Sequence, residues 1–440
     1  MLVDFSITNF GPIKDTVTLS FEPVDDSSYS AEFLIETPIE GLKLLKLGLI
    51  YGANASGKST VLEALDFLRS LVLNPLERKN EELPYNPFLF VPGDTLDKSE
   101  LDIHFITTKG KRYHYHVAFT RKCILEEVLY VRDPGERIVY HRTTDEDQMT
   151  VHIVAGNFYK SYRTDFRALE TSTLWNNTVL GGSLKVSVSI PAISDVVRWF
   201  DDYLYPLVSP STNLFGYVSH LIEDKKIRKE NIMKLLRRAD FMIDSVNIEH
   251  VSLDKESMEK FVNILHHQRP NLSDEEIRKK AEPRYVTFTH HYKGGQAVLN
   301  YGMESLGTQR FYQFCGILDL LLRKPCMFFI DEIETSLHPD LLEYFIFVFL
   351  LNSKHSQMLA TTHYREFLIN KEHVRPDTIW FTSKDVEGKV DLYSLADFEK
   401  GLFKDVKNPY YNLYKIGKLG AVPHLGDYYF DLGDEETTKE

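Results

Sequence analysis

The sequence predicts an α/β protein organised around a phosphate-binding loop, and three observations carry that class. The stretch Gly52-Ala53-Asn54-Ala55-Ser56-Gly57-Lys58-Ser59 fits the pattern G-x-x-x-x-G-K-[ST]. It lies between an apolar run, Leu44 to Tyr51, that reads as a buried strand, and Thr60 to Leu73, where Val61, Leu62, Leu65, Leu68 and Val72 recur at helical spacing. Far along the chain, Cys326 to Ile330 is a second apolar run, and it delivers Asp331 and Glu332 at its end. A chance glycine-rich turn would not be framed by a strand and a helix.

The loop's residue types suit phosphate. Glycines let the backbone curl so that successive N–H groups point inward, and the following helix presents its positive end. Gly52, Ala53, Asn54, Ala55, Ser56, Gly57, Lys58, Ser59 and Thr60 are therefore the candidate nucleotide contacts. Lys58 can reach the outer phosphates, and the Ser59 hydroxyl can ligate Mg²⁺. Asp331 is the second candidate metal ligand, and Glu332 can polarise an attacking water as general base. Taken alone, Asp331 and Glu332 could equally cap a helix after a core strand.

Taken in order, Leu2 to Ile7 and Val17 to Phe21 read as strands joined by a turn at Asn9-Phe10-Gly11-Pro12. Pro75, Pro84, Pro87 and Pro92 mark Asn74 to Gly93 as loop-rich. From Leu101 to Tyr140 the chain alternates as antiparallel strands do. Within it, His114 and His116 share one strand face. That pair could suit a metal, but no third ligand is placed, so an ordinary strand surface is the expectation. From residue 185 the character changes: Ile193 to Leu204 and Gly216 to Leu236 read as helical. Residues 225–238 hold seven basic side chains and one acid, a candidate patch for nucleic acid or an acidic partner against the reading of a solvated helix face. Asp427 to Glu440 reads as a loose acidic tail.

With 440 residues the chain is long enough for several domains, and its 43% hydrophobic and 26% charged composition is that of a globular protein. A formal net charge of −13 argues against a bulk nucleic-acid coat while leaving room for a local basic patch. Cys123, Cys315 and Cys326 lack metal-ligand spacing and suit a reducing cytoplasm. No signal peptide is read at Met1 to Phe5, and the most apolar run, Leu341 to Leu351, is too short for a bilayer and contains Glu343, so no membrane partner is expected.

Ser305-Leu306-Gly307-Thr308-Gln309-Arg310 opens a helix running to Arg323, Glu334 to Pro339 follows the acidic pair, and Gln357 to Thr362 is a strand ending in His363. This order resembles the ABC-class ATPases of the SMC, Rad-fifty and RecF kind: phosphate loop, Ser-x-Gly signature, acidic strand with a glutamate, D-loop and switch histidine. The likeness covers about 1–130 and 290–400. Glu304 to Thr308, Asp331 to Pro339 and Lys415 to Pro423 carry a narrower resemblance to RloA-like and AriA-like ATPases of bacterial anti-phage modules.

The resemblance implies a P-loop NTPase of ABC type: a mixed sheet, an antiparallel β part and a helical insertion; no heptad pattern persists for several turns, so no long coiled coil is expected. It divides the chain into an N-terminal lobe 1–184, an insertion 185–285, a C-terminal lobe 286–400 and a terminal segment 401–440. It implies ATP and Mg²⁺ and a head-to-tail homodimer or larger homo-oligomer. Ser305 and Gly307 would then face the γ-phosphate held by the partner's Lys58, and His363 would sense that phosphate. Lys58, Glu332 and His363 would be the catalytic set. It further implies a Toprim-type nuclease effector and a phage protein or DNA as trigger. Two departures stand out. No Gln occupies the Pro84 to Pro92 region where the family's Q-loop falls, and the signature reads Ser-Leu-Gly-Thr-Gln. The segment between Lys58 and Asp331 is too short for SMC-style arms. A RecF-like ATPase acting directly on DNA is the alternative. A transporter subunit and an ATP-binding scaffold are further classes, the first disfavoured by the missing Gln.

Overall fold

The computed structural model describes residues 1–25, 31–90, 98–132, 135–239, 241–250, 259, 284–369, 374–404 and 406–423. The expected acidic tail lies outside these residues. The fold is α/β: two unlike sheets enclose one helix, which the phosphate-loop sequence opens.

The first sheet is antiparallel and seven-stranded. Its strands are β1 (Leu2–Thr8), β2 (Val17–Ser20), β6 (Ser99–Ile106), β7 (Arg112–Phe119), β8 (Ile124–Arg132), β9 (Glu136–Asp145) and β10 (Thr150–Ala155), in the order β10-β9-β8-β7-β6-β1-β2. Between β2 and β6 the chain forms a small hairpin of β3 (Leu34–Glu36) and β4 (Lys43–Leu45), then β5 (Leu47–Gly52) and α1 (Lys58–Leu73). The turn at Asn9 to Pro12 forms as expected, with Asn9 at φ 54°. Side chains of the sheet alternate: Leu101, Ile103, Phe105, Tyr113, Tyr115 and Val117 are buried, whereas Asp102, His104, His114 and His116 lie on the opposite face.

The second sheet has β5 at its centre, in the order β14-β15-β5-β16-β17, with β14 (Met327–Ile330), β15 (Gln357–Thr361), β16 (Ile379–Lys384) and β17 (Val390–Ser394). All pairs are parallel except β16 with β17. This sheet is covered on both faces, which is why its strands read as unbroken apolar runs. Ile50, Met327, Phe329 and Leu359 enter one core together with α1 and the antiparallel sheet. Leu47, Leu49, Tyr51, Phe328, Ile330, Met358 and Ala360 enter a second core on the other face.

Helices α2 (Arg163–Ser172) and α3 (Val179–Ser183) follow β10, and sequence periodicity had not singled them out. Helix α4 (Pro191–Asp202) joins the first core. The stretch from Gly216 to Leu236 is two helices, α5 (Phe215–Glu223) and α6 (Lys229–Arg238). The break has a local cause: Lys225 takes φ 56°, Ile227 is buried, and the Arg228 amide donates to Asp319. Strand β11 (Ile243–His250) pairs with β12 (Arg284–Tyr292), which pairs with β13 (Gly295–Asn300). The second core is completed by α7 (Leu306–Arg323), α8 (Pro339–Asn352) and α9 (Pro409–Lys415). Helix α7, with 18 residues, is the longest among the described residues, so none of these forms a long coiled-coil arm.

Candidate nucleotide-binding site

The loop between β5 and α1 is shaped by two close approaches. A Cβ on Gly52 would lie 2.9 Å from the Thr382 carbonyl oxygen and closer still to the Ser56 and Thr382 hydroxyls. Gly57 has φ 90°, and a Cβ there would meet two Val390 methyls at 2.8 Å. Ala55 also takes a positive φ of 60°. The Ser56 and Thr382 hydroxyls bond at 2.7 Å, tying the loop to β16. Asn54 and Ala55 stand exposed at the tip, and Thr60 is buried against Gly11. Lys58 Nζ donates to the carbonyls of Gly52 at 3.1 Å and Ala53 at 2.9 Å. Burial pushes the Lys58 ammonium below its usual range, opposed by Asp331, Glu332 and Glu334.

The carboxylates arrive from two strands away. Strand β15 separates β14 from β5. Asp331 follows β14, and its Oδ1 accepts from Ser59 Oγ at 3.0 Å and from Thr361 Oγ1 at 2.6 Å. Thr361 Oγ1 in turn accepts from the Glu332 amide at 2.7 Å. One hydroxyl thus fixes both acidic residues. Glu332 takes φ 46°, a conformation that costs energy in a non-glycine residue and is held here by its neighbours. Thr335 Oγ1 lies 3.4 Å from Glu332 Oε2. Beyond β15 the His363 amide donates to Glu334 Oε1 at 2.6 Å. Partial burial lowers the His363 pKa, and Lys58 lowers it further, against Glu334, Glu332 and Asp331.

Ser305 caps α7, accepting from the Thr308 amide at 3.1 Å. Gly307 sits close to the D-loop: a Cβ there would be 3.1 Å from the Ser336 carbonyl oxygen. Ser336 itself takes φ 65°. Glu304 is held by His290 at 2.6 Å and its carbonyl by Gln309 at 2.9 Å. Leu306 (71% exposed) and Met303 (67%) project outward beside Ser305.

Lys58, Ser59, Asp331, Glu332 and His363 thus come together, while Ser305 caps α7 and Gly307 sits against the Ser336 carbonyl of the D-loop. Sequence reasoning missed Thr361, the hydroxyl that joins Ser59's acceptor to the Glu332 backbone. Its signal was a polar residue ending a strand just before His363. It also missed Glu334 and Glu63. The latter lies one turn after Ser59 beside a cavity of about 430 Å³ that Thr60, Pro84 and Asn86 also line. Burial and then the charge of Asp331 push the Glu63 carboxyl up. The Lys415 to Pro423 stretch is packed structure: Leu419 is buried, and its carbonyl accepts from Tyr393 Oη at 2.9 Å. Tyr414 stacks on Phe381 and meets Tyr51 edge-on.

The family described as "AAA domain, putative AbiEii toxin, Type IV TA system" matches residues 49–148 and 157–369. The chain belongs to this AAA-domain family. Both the Gly52–Ser59 loop and the Asp331–Glu332 pair fall inside the matched residues, as does Ser305. Solved structures similar to this AAA-domain chain include the SMC head domain from Thermotoga maritima, 12% identical, covering 89% of this chain and 98% of that one, with a TM-score of 0.39. An SmcHead bound to the C-winged helix domain of ScpA is also 12% identical, covering 89% and 97%, with a TM-score of 0.44. The recombination mediator protein RecF bound to ATP is 14% identical, covering 89% and 97%, with a TM-score of 0.34. No curated protein matches the chain. Among the described residues no helix is long and apolar enough to cross a membrane.

Proposed function

We propose that this chain binds ATP with Mg²⁺ and hydrolyses it, and that two copies close head to tail over two nucleotides in the cytoplasm. The observation that carries this reading is the convergence of Ser59 Oγ and Thr361 Oγ1 on Asp331 Oδ1, at 3.0 and 2.6 Å, directly beside Lys58. The oxygen-only donor set of Ser59 and Asp331 fits a hard divalent cation. Bound there, Mg²⁺ neutralises charge on the phosphates. Gly52 and Gly57 leave no room for side chains in the loop, which keeps its amides open to phosphate oxygens.

Each residue has a stated task. Lys58 exchanges its two carbonyl acceptors for phosphate oxygens. Glu332 accepts a proton from the attacking water. The lowered pKa of His363 keeps its ring neutral at pH 7, able to donate one hydrogen bond without adding charge. Ser305 and the Gly307 backbone meet the nucleotide held by the other copy. The nucleotide then sets an assembly equilibrium, and that assembly governs a separate effector, a Toprim-type nuclease in phage defence, with a phage protein or DNA as trigger. The test is a pull-down with ATP and Mg²⁺ from the native host, with the mass of the eluted complex measured. Co-elution of a nuclease supports the reading.

The exposed cations of α6 favour a second reading, a RecF-like ATPase acting directly on DNA. Lys234, Arg237 and Arg238 stand out from its surface, as do Lys225, Lys226 and Arg228 just before it. That reading requires DNA binding that weakens steeply as salt rises.

A further inference from the structure

The antiparallel sheet carries a cluster that ATP chemistry does not use. On the face turned away from the core, Asp4, His104, His114 and Tyr130 stand side by side on β1, β6, β7 and β8, each paired with the next across the sheet. Two residues along, Asp102 and His116 form the neighbouring pair on β6 and β7. His114 Nε2 lies 2.8 Å and His116 Nδ1 3.2 Å from Asp102 Oδ2, and His104 Nδ1 lies 2.7 Å from Asp4 Oδ1. The rings of His104 and His114 stack at 4.2 Å, and Tyr130 covers the other face of His114 at 4.9 Å. The three histidine side chains keep only 22–30% of their exposure.

Three imidazoles and two carboxylates, Asp4 and Asp102, are thus gathered on one strand face. One donor atom each from Asp102, His104 and His114 already lies within 4.8 Å of the others. A tetrahedral zinc centre holds its ligand atoms about 3.3 Å apart, so ligation requires the His104 and His114 rings to turn out of their stack. Mixed imidazole and carboxylate donors suit zinc and its neighbours rather than Mg²⁺ or Ca²⁺. The remaining two residues have the places of supporting partners: Asp4 holds His104 and His116 holds Asp102, the arrangement that orients ligands in metal sites.

We propose that Asp102, His104 and His114 form a binding site for a zinc-class divalent transition metal, oriented by Asp4 and His116. The site is separate from Ser59 and Asp331 and takes an ion of different chemistry. Because the ligands join β6 to β7, bound metal staples the middle of the seven-stranded sheet. A fourth position stays with water.

The test uses the full chain, stripped with chelator and free of nucleotide. Zn²⁺ is titrated by calorimetry, and Co²⁺ by its visible absorption, which distinguishes tetrahedral nitrogen ligation from aqueous ion. Expected are one equivalent per chain, a tetrahedral Co²⁺ spectrum, a rise in melting temperature with Zn²⁺ but not Mg²⁺, and a loss of affinity of about 100-fold in His104→Ala and in His114→Gln. His116→Ala, which removes a supporting contact, loses about 10-fold. His141→Ala on the same sheet, where His141 pairs with Glu126, leaves binding unchanged. Equal binding by wild type, His104→Ala and His114→Gln overturns the proposal, as does an aqueous-type Co²⁺ spectrum. Circular dichroism of each variant separates lost ligation from lost folding. Asp331→Ala removes the other metal position, and unchanged zinc binding there assigns the equivalent to the sheet.

Discussion

The two ends of the candidate ATP site are built differently. At the loop end, residues from β5, β14, β15 and β16 close on one another through short bonds, and Lys58, Ser56 and Thr361 are buried. At the Ser305 end, one helix cap and a glycine lie on an edge, with Leu306 and Met303 exposed beside them. The first end is a finished pocket floor. The second, Ser305 capping α7 and Gly307 beside the Ser336 carbonyl, stands at the surface. On the function proposed above, one surface would hold ligand alone and the other would act on what a second copy holds.

That contrast can be broken from either end, and the largest effect is at the loop. Lys58→Ala removes the ammonium seated on the loop carbonyls, and ATP binding by calorimetry should fall at least 100-fold; unchanged binding would sink the site assignment. Glu332→Gln should leave ATP binding intact and cut turnover by about 10²- to 10⁴-fold, the range for a lost general base. It should also accumulate the nucleotide-bound assembly in native mass measurements. An enzyme rate equal to wild type would instead mark a scaffold that scarcely hydrolyses. Ser305→Arg should preserve binding to a single chain and abolish the ATP-dependent doubling of mass. If the doubling persists, the divided-site reading fails.

Thr361→Val is subtler. It leaves the Glu332 amide without its acceptor and takes one donor from Asp331, at a cost of about 1–3 kcal/mol in chemical denaturation. The smallest effect is a pH slope. The folded His363 pKa lies below the ordinary imidazole value of 6.5 because partial burial, then Lys58, disfavour the charged ring. As pH falls, the unfolded chain takes the proton first, so stability declines from near pH 6.5 down to the folded pKa. His363→Gln should flatten that slope, and NMR titration of the ring should place its midpoint below the ordinary value.

The local half of this arrangement was legible in the sequence. Gly52 to Ser59 needs only a strand, a turn and a helix in succession, and Cys326 to Glu332 needs only an apolar run with acids at its end. Ser305 as a helix cap was equally local. What escaped depends on pairing between distant strands. Thr361 reaches Asp331 because β14 and β15 run parallel with Ile330 opposite Ala360, a register no single segment encodes. His114 and His116 were visible as a pair on one strand face. Their companions Asp102 and His104 come from β6, brought alongside by a hairpin whose register places His104 opposite His114. The break at Lys225 was hidden because both flanking helices keep an apolar face, and only burial of Ile227 and the anchor at Asp319 reveal why the chain stops and restarts.

That anchor has a mechanical consequence. Asp319 is 1% exposed and accepts from the Arg228 amide at 3.1 Å, from Asn231 Nδ2 at 2.6 Å and from Arg323 Nε at 2.8 Å. It sits on the same helix that Ser305 caps, about 21 Å further along at ~1.5 Å per residue. Val218 of α5 presses on Gly316 of that helix, and Phe241 beyond α6 stacks on Phe311. The cation-bearing helix therefore runs back along the helix that Ser305 caps, anchored at Asp319 at its start and reaching Phe311 through Phe241 beyond its end. The buried Asp319 carboxylate thus holds the start of α6, through the Arg228 amide and Asn231, to the same helix that carries Ser305.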